Sequence, residues 1–222
     1  PYVVLEDADF SAMMPDVLAR SFSNGGQTCT APTRLIVPES RKEEFIEAAL
    51  AQVANIRVGD PADTETTMGP MASESQFKSV QRYIQAGIEE GARLLCGGPG
   101  KPEGLEAGAY VKPTLFADVD NQMTIAQEEI FGPVISIISY ESLDQAIEIA
   151  NDSIYGLAAY VWSEDKEKAE YVARKLRAGM VTINGAAMDW RTPFGGYKQS
   201  GVGRERGEMG LEEYLEAKAI AG

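Results

Sequence analysis

The chain has 222 residues and carries 34 acidic against 20 basic side chains, a net charge of −14. A surface this acidic repels nucleic acid and anionic membranes and so excludes both as partners, while solubility alone is enough to account for the charge. Apolar residues make up 44% of the chain, which argues against wholesale disorder and allows one sizeable core.

Tyr2-Val3-Val4-Leu5 is a short β-prone run that stops at the acidic turn Glu6-Asp7-Ala8-Asp9. A helix is expected through Met13 and Val17-Leu18 to Phe22. The polar octet Ser23-Asn24-Gly25-Gly26-Gln27-Thr28-Cys29-Thr30 follows, with Cys29 placed to open a second helix. A thiol at a helix N-terminus meets unpaired N–H groups and the positive end of the dipole, which favours thiolate. Gly25 and Gly26 let the backbone approach a substrate without an intervening Cβ. The opposite reading, a small buried apolar residue, is the commonest fate of a free cysteine. No histidine occurs anywhere, so a Cys–His pair is ruled out.

Arg34-Leu35-Ile36-Val37 reads as a buried strand closed by Pro38. Ser40 with Glu43 forms a capping-box pattern ahead of Phe45, Ile46, Ala49, Leu50 and Val53 on one helical face. Ser73 with Gln76 repeats the signal before Phe77, Val80, Ile84 and Ile88, and Gly91 ends that helix. Arg93-Leu94-Leu95-Cys96 is the next strand, with Cys96 read as core, and residues 97–108 form a glycine- and proline-rich surface loop. Tyr110 to Phe116 and Val134 to Tyr140 are β-rich and flank Glu128-Glu129, which by itself is an ordinary acidic turn.

Ser142 with Gln145 caps a helix carrying Leu143, Ala146, Ile147 and Ala150. Leu157 to Trp162 is a strand, Asp165 to Leu176 a charged helix stopped by Gly179, and Met180 to Ile183 a strand. A glycine-rich loop over 195–203 leads to a short helix near Leu211 to Lys218. Phe194, bracketed by turn residues, is a core side chain or a pocket lining in equal measure. Strands alternating with helices in this way predict an α/β fold with a mainly parallel sheet and helices on both faces. No internal repeat and no long linker divides the chain, so one domain is expected.

Two cysteines are too few for a disulfide scaffold and suit a reducing, cytoplasmic setting. Without histidine no metal site is expected. The apolar runs fall far short of a membrane span. The chain starts at Pro1 and not at an initiator methionine, so its first residue reads as a boundary and carries no information on targeting. No G-x-G-x-x-G follows a strand and no P-loop occurs, so nothing here would hold a dinucleotide's pyrophosphate.

Four separated motifs occur together: the octet around Cys29 with Leu5-Glu6-Asp7-Ala8-Asp9 ahead of it; Thr67-Met68-Gly69-Pro70; Glu128-Glu129-Ile130-Phe131-Gly132-Pro133-Val134; and Pro193-Phe194-Gly195-Gly196-Tyr197-Lys198-Gln199-Ser200-Gly201 with Gly203-Arg204-Glu205. In this order they resemble the catalytic half of the aldehyde dehydrogenase superfamily, over nearly the whole chain. The resemblance implies that Cys29 is the nucleophile, forming a thiohemiacetal and then a thioester with an aldehyde substrate, with hydride passing to NAD or NADP. It implies that Glu129 bonds the nicotinamide ribose, that Phe131 packs near the nicotinamide, and that Ser23, Thr28, Thr30 and Phe194 face a substrate tunnel that Met188 and Trp190 help to shape.

The family's general base, its second oxyanion donor and its cofactor domain lie upstream of Pro1 by the same resemblance. Residues 1–205 would be the catalytic domain and 206–222 a C-terminal helix and tail for oligomer contact in a homodimer or homotetramer. Arg204 and Glu216 are expected to bracket that helix and hold the 195–203 loop. The alternatives are a CoA-acylating relative, or a structural or interaction protein that has kept the fold and lost the chemistry. Intact Cys29 and Glu129 count against the latter.

Overall fold

A computed structural model describes all 222 residues. Seven strands form one sheet in the order β3-β4-β5-β2-β1-β7-β8. The strands are β1 (Tyr2–Val4), β2 (Arg34–Pro38), β3 (Arg93–Cys96), β4 (Thr114–Ala117), β5 (Val134–Tyr140), β7 (Ala158–Trp162) and β8 (Met180–Ile183). Every pairing is parallel except that of β3, which runs antiparallel to β4 at the edge. A separate two-stranded ribbon joins β6 (Tyr155–Gly156) to β9 (Tyr197–Lys198). The helices are α1 (Phe10–Phe22), α2 (Lys42–Val53), α3 (Glu74–Glu89), α4 (Thr124–Gln127), α5 (Leu143–Asn151), α6 (Lys166–Lys175) and α7 (Gly207–Glu212).

The period of two along each strand sends side chains to opposite faces, and both faces are covered. Tyr2 and Val4, Leu35 and Val37, and Ile135 and Ile137 face α1 and α2, where Met13, Val17, Phe45 and Ala49 complete one core. Val3, Ile36, Ala159 and Val161 face the other way, toward α5 and α6. Phe116, Val134 and Ile138 meet α3 and α4 on that same side. This is the mainly parallel α/β sheet with helices on both faces that the sequence predicts.

The chain enters β1 at the sheet's centre, steps to β2, passes through α2 and α3 to the edge strand β3, comes back inward through β4 to β5 beside β2, and crosses through α5 to β7 on β1's other side. Connections from helix to strand therefore gather at the amino ends of the strands. Three of them, α1 to β2, α4 to β5 and α5 to β7, meet there.

Several expectations are corrected. No helix opens at Cys29, which sits in a turn closed by Ala31 N donating to Thr28 O at 2.9 Å. Pro32 disfavours helical backbone at Ala31, and β2 begins two residues beyond it. Ser40 caps nothing: a 3₁₀ turn, Glu39–Arg41, runs straight into α2. Arg41 is drawn instead to Glu44 and to the Glu6 and Ala8 carbonyls. The strand expected from Tyr110 shrinks to Thr114–Ala117, since Pro113 cannot donate to a ladder.

Cys96 is half-buried, because β3 is an edge strand with Arg93 and Leu94 exposed. The last helix lies earlier than expected, at Gly207–Glu212, where Gly210 packs closely on the Glu205 backbone. Residues 211–222 are exposed, and beyond Glu212 the short tail, without a packed face, does not stay helical.

Candidate active site

Cys29 lies on the α1-to-β2 connection, and the sequence explains why that connection holds one shape. Asn24, Gly25 and Gly26 have φ of 52°, 64° and 73°, a left-handed run that glycine and asparagine adopt at least cost. Gln27 ties the loop down at both ends. Its amide N–H₂ donates to Asn24 O at 2.8 Å, and its Oε1 accepts from Ala72 N at 2.8 Å. Residues 67–70 thus lead into the segment that anchors the cysteine loop. Downstream, Ser21 Oγ donates to Pro32 O at 2.7 Å and Tyr160 Oη to Thr30 O at 2.8 Å. Cys29 is left exposed at the turn, and its backbone N–H donates to no group in the chain.

The second wall of the site is the α4-to-β5 connection. Gly26 packs so closely on it that an added Cβ would overlap the Gly132 carbonyl. Phe131 holds φ 53°, an unusual conformation for a bulky residue. Of the two adjacent carboxylates, Glu128 accepts from Tyr83 Oη at 2.8 Å, whereas Glu129 is exposed and enters no ion pair. Burial, with the Glu128 bond second, raises the Tyr83 hydroxyl to about 12, so it stays a donor.

The third wall is the α5-to-β7 connection with the β6–β9 ribbon. Lys198 Nζ donates to Asn151 O and Ser153 O at 2.6 and 2.9 Å, capping the end of α5, and Ser200 Oγ accepts from Gly156 N at 3.0 Å. Burial, reinforced by Arg34 and Arg177, lowers the Lys198 ammonium below its ordinary value. Arg34, at the amino end of β2, caps the same helix: it donates to the Ile149 and Ala150 carbonyls and, at 2.7 Å, to Asn121 Oδ1. Burial brings its guanidinium down to about 10.

These walls enclose a cleft of about 300 Å³ lined by Cys29, Thr28, Glu129, Phe131, Tyr155 and Ser200, among others. Residues about a hundred positions apart, Cys29 and the Glu129–Phe131 pair, thus share one cavity. Ser23, Thr30 and Phe194 are not among its lining residues. The Ser23 carbonyl accepts from Thr28 Oγ1, the Thr30 carbonyl holds Tyr160, and Phe194 pairs by backbone with Glu205 beneath the Arg206 guanidinium. Arg34 and Lys198 were not singled out as site residues from sequence. Their signal, cations whose partners are carbonyls at the end of a distant helix, exists only in three dimensions. Arg204 does hold the 195–203 loop, its guanidinium donating to the Gly196 and Gly203 carbonyls, but the carboxylate nearby is Glu213, which accepts from the Arg204 backbone N–H at 3.3 Å, and Glu216 is exposed.

The donor set suits one end of a dinucleotide. A free carboxylate, an aromatic ring and a thiol around a cleft of this size fit a nicotinamide riboside, since a carboxylate accepts from two vicinal hydroxyls at once. No group of three or more His, Cys, Asp or Glu comes together as a metal cage, and no helix is long and apolar enough to cross a membrane.

An α/β sheet with a cysteine on one helix-to-strand loop, facing a carboxylate and an aromatic on another, defines a class of cysteine-bearing α/β enzyme domain. The sequence pattern of the aldehyde dehydrogenase family matches residues 1–220, and the chain belongs to that family. A curated relative from Staphylococcus haemolyticus is 54% identical over all 222 residues, which make up 47% of its own length. The chain spans about half the length of the curated relatives it matches. Aldehyde dehydrogenase C of Pseudomonas syringae, solved as a cysteine-to-alanine variant with NAD+ and octanal, is 50% identical with a TM-score of 0.97. The match covers 99% of this chain and 45% of that one. A Mycobacterium tuberculosis aldehyde dehydrogenase solved with NAD+ is 49% identical with a TM-score of 0.93, over 96% of this chain and 44% of that one.

Proposed function

We propose that this chain is the catalytic portion of a longer NAD(P)-dependent aldehyde dehydrogenase that oxidises an aldehyde to a carboxylic acid. The observation that carries the reading is the meeting of Cys29, Glu129 and Phe131 in one cleft. Residues 1–205 act as the catalytic domain and 206–222 as an extension toward a partner subunit in a cytoplasmic homodimer or homotetramer. Tyr214, Leu215 and Ile220 support the latter, as apolar side chains exposed together on that tail.

Cys29 Sγ, as thiolate, adds to the aldehyde carbon while the C=O electron pair moves to oxygen, giving a thiohemiacetal on the cysteine. The Cys29 backbone N–H, which has no partner in the chain, donates to that oxyanion in this reading. Re-forming the carbonyl expels the hydride and leaves a thioester on Cys29. Bound NAD(P)+ supplies the hydride acceptor. Glu129 orients the ribose hydroxyls and Phe131 packs near the nicotinamide. Water then cleaves the thioester, releasing the acid and restoring the thiol. The family resemblance assigns the proton acceptor and the second oxyanion donor to the portion of the enzyme outside this chain.

The test is NADH formation by the full-length enzyme with octanal and NAD+. Turnover by wild type, none by Cys29→Ala, and an acyl group trapped on the Cys29 peptide are expected. Product release that requires CoA would overturn the hydrolytic step in favour of CoA acylation. Steady NADH production by this chain alone would overturn the domain assignment.

A further inference from the structure

Helix α3 carries two stripes. Val80, Ile84 and Gly87 face the core. Beside them Gln76, Tyr83 and Glu90 recur every seven residues, a spacing that brings a helical side chain back to nearly the same face. All three reach the segment that carries Glu129. Gln76 Nε2 donates to Ile130 O at 3.0 Å and to Phe131 O at 2.8 Å. Tyr83 Oη donates to Glu128 at 2.8 Å. Glu90, at the helix C-cap, accepts from Thr124 N at 2.8 Å and from Thr124 Oγ1 at 2.5 Å. The helix and the segment run in opposite directions and are stitched together at three points.

These contacts act on the features the cleft needs. Phe131 sits at φ 53°, a conformation that persists only where its surroundings over-determine it, and the Gln76 amide grips the carbonyls of Phe131 and the residue before it. Glu128 and Glu129 both line the cleft, and the Glu128 carboxylate is taken by Tyr83 whereas Glu129 has no such partner. Tying Glu128 to the helix leaves Glu129 as the one free carboxylate of the pair. Thr124 fixes the start of the segment.

We propose that Gln76, Tyr83 and Glu90 are positioning residues, a heptad-spaced jig that holds Glu129 and Phe131 in register with Cys29 for the nicotinamide riboside end of the cofactor. The inference rests on the cofactor reading of Glu129 and Phe131 given above. None of the three lines the cleft; each acts through the segment.

The test uses Gln76→Glu, which keeps the size and loses the donor, Tyr83→Phe, which removes one oxygen, and Glu90→Ala against Glu90→Gln. In this chain, amide exchange over residues 128–132 is expected to quicken about fivefold to thirtyfold, the equilibrium weight of one or two net hydrogen bonds. Exchange in β5 stays unchanged. In the full-length enzyme the KM for NAD+ is expected to rise by a similar factor, about fivefold to thirtyfold, with kcat at saturating NAD+ and the alkylation rate of Cys29 held. Glu90→Gln, which can still accept from Thr124 N, is expected to restore wild-type behaviour. Glu129→Gln run in parallel separates the two levels. If it raises the KM for NAD+ while the α3 variants leave KM and exchange alone, the jig is refuted. If Glu129→Gln itself leaves the KM for NAD+ unchanged, the cofactor reading falls and the jig with it.

Discussion

Gly26→Ala tests the seam on which the site depends. Gly26 holds φ 73°, and its α-carbon faces the Gly132 carbonyl so closely that a Cβ would overlap it. The left-handed backbone costs an alanine about 1–2 kcal/mol. The overlap is with backbone, which cannot rotate aside as a side chain can, and overpacking of this kind costs about 1–3 kcal/mol. Together they remove about 2–5 kcal/mol from a fold whose total is about 5–15 kcal/mol. In a chain of this size each kcal/mol lowers the melting midpoint by about 2–4 °C, so a drop of about 4–20 °C is expected by circular dichroism.

Two controls separate the contributions. Gly91 has φ 93° with nothing within 4 Å of an added Cβ, so Gly91→Ala reports the backbone cost alone. Gly25 has φ 64° and would meet only the mobile end of Met71, so Gly25→Ala should fall between the two. A Gly26→Ala midpoint no lower than that of Gly91→Ala would refute the close-approach argument.

Limiting haloacetamide followed by peptide mapping should label Cys29 ahead of Cys96, because Cys29 is exposed whereas burial raises the thiol pKa of half-buried Cys96; preferential labelling of Cys96 would contradict this. Arg34→Met should cost about 2–4 kcal/mol in urea unfolding, since it strands Asn121 Oδ1 and two carbonyls at the end of α5, and an unchanged midpoint would show those acceptors to be solvated. The hydrogen bond from Lys42, then the charges of Lys42 and Arg93, hold the Asp118 carboxyl below its ordinary value of 3.8. That depression stabilises the fold above pH 3.8 and is lost as the pH falls through the lower folded value. Wild type should therefore lose more stability on acidification below that pH than Asp118→Asn does, and parallel acid curves would refute the linkage.

The local pattern of apolar residues and caps was enough to place α1, α3, α5 and α6, and β5 and β8 to the residue, because period and capping are properties of neighbouring residues. Ser73 and Ser142 cap as their spacing predicts, each accepting from a backbone N–H three residues on. The alternation of strands and helices was likewise enough for a mainly parallel sheet. Spacing misled where a competing partner lay far off in sequence. Arg41 is taken by carbonyls of residues 6 and 8, and the tail beyond Glu212 lacks the packed face a helix needs.

The site divides along the same line. The octet, the Glu128–Val134 stretch and the glycine-rich loop were legible as motifs, and with them Cys29, Glu129 and Phe131. Only the tertiary structure decided that three helix-to-strand connections meet at the amino ends of the strands. It also decided that Glu128 is tied down while Glu129 is free, and that Ser23, Thr30 and Phe194 lie off the cleft's lining. Strand order sets which loops become neighbours, and it follows from burying both faces of the sheet at once, a constraint spread over the whole core that no single stretch of sequence carries.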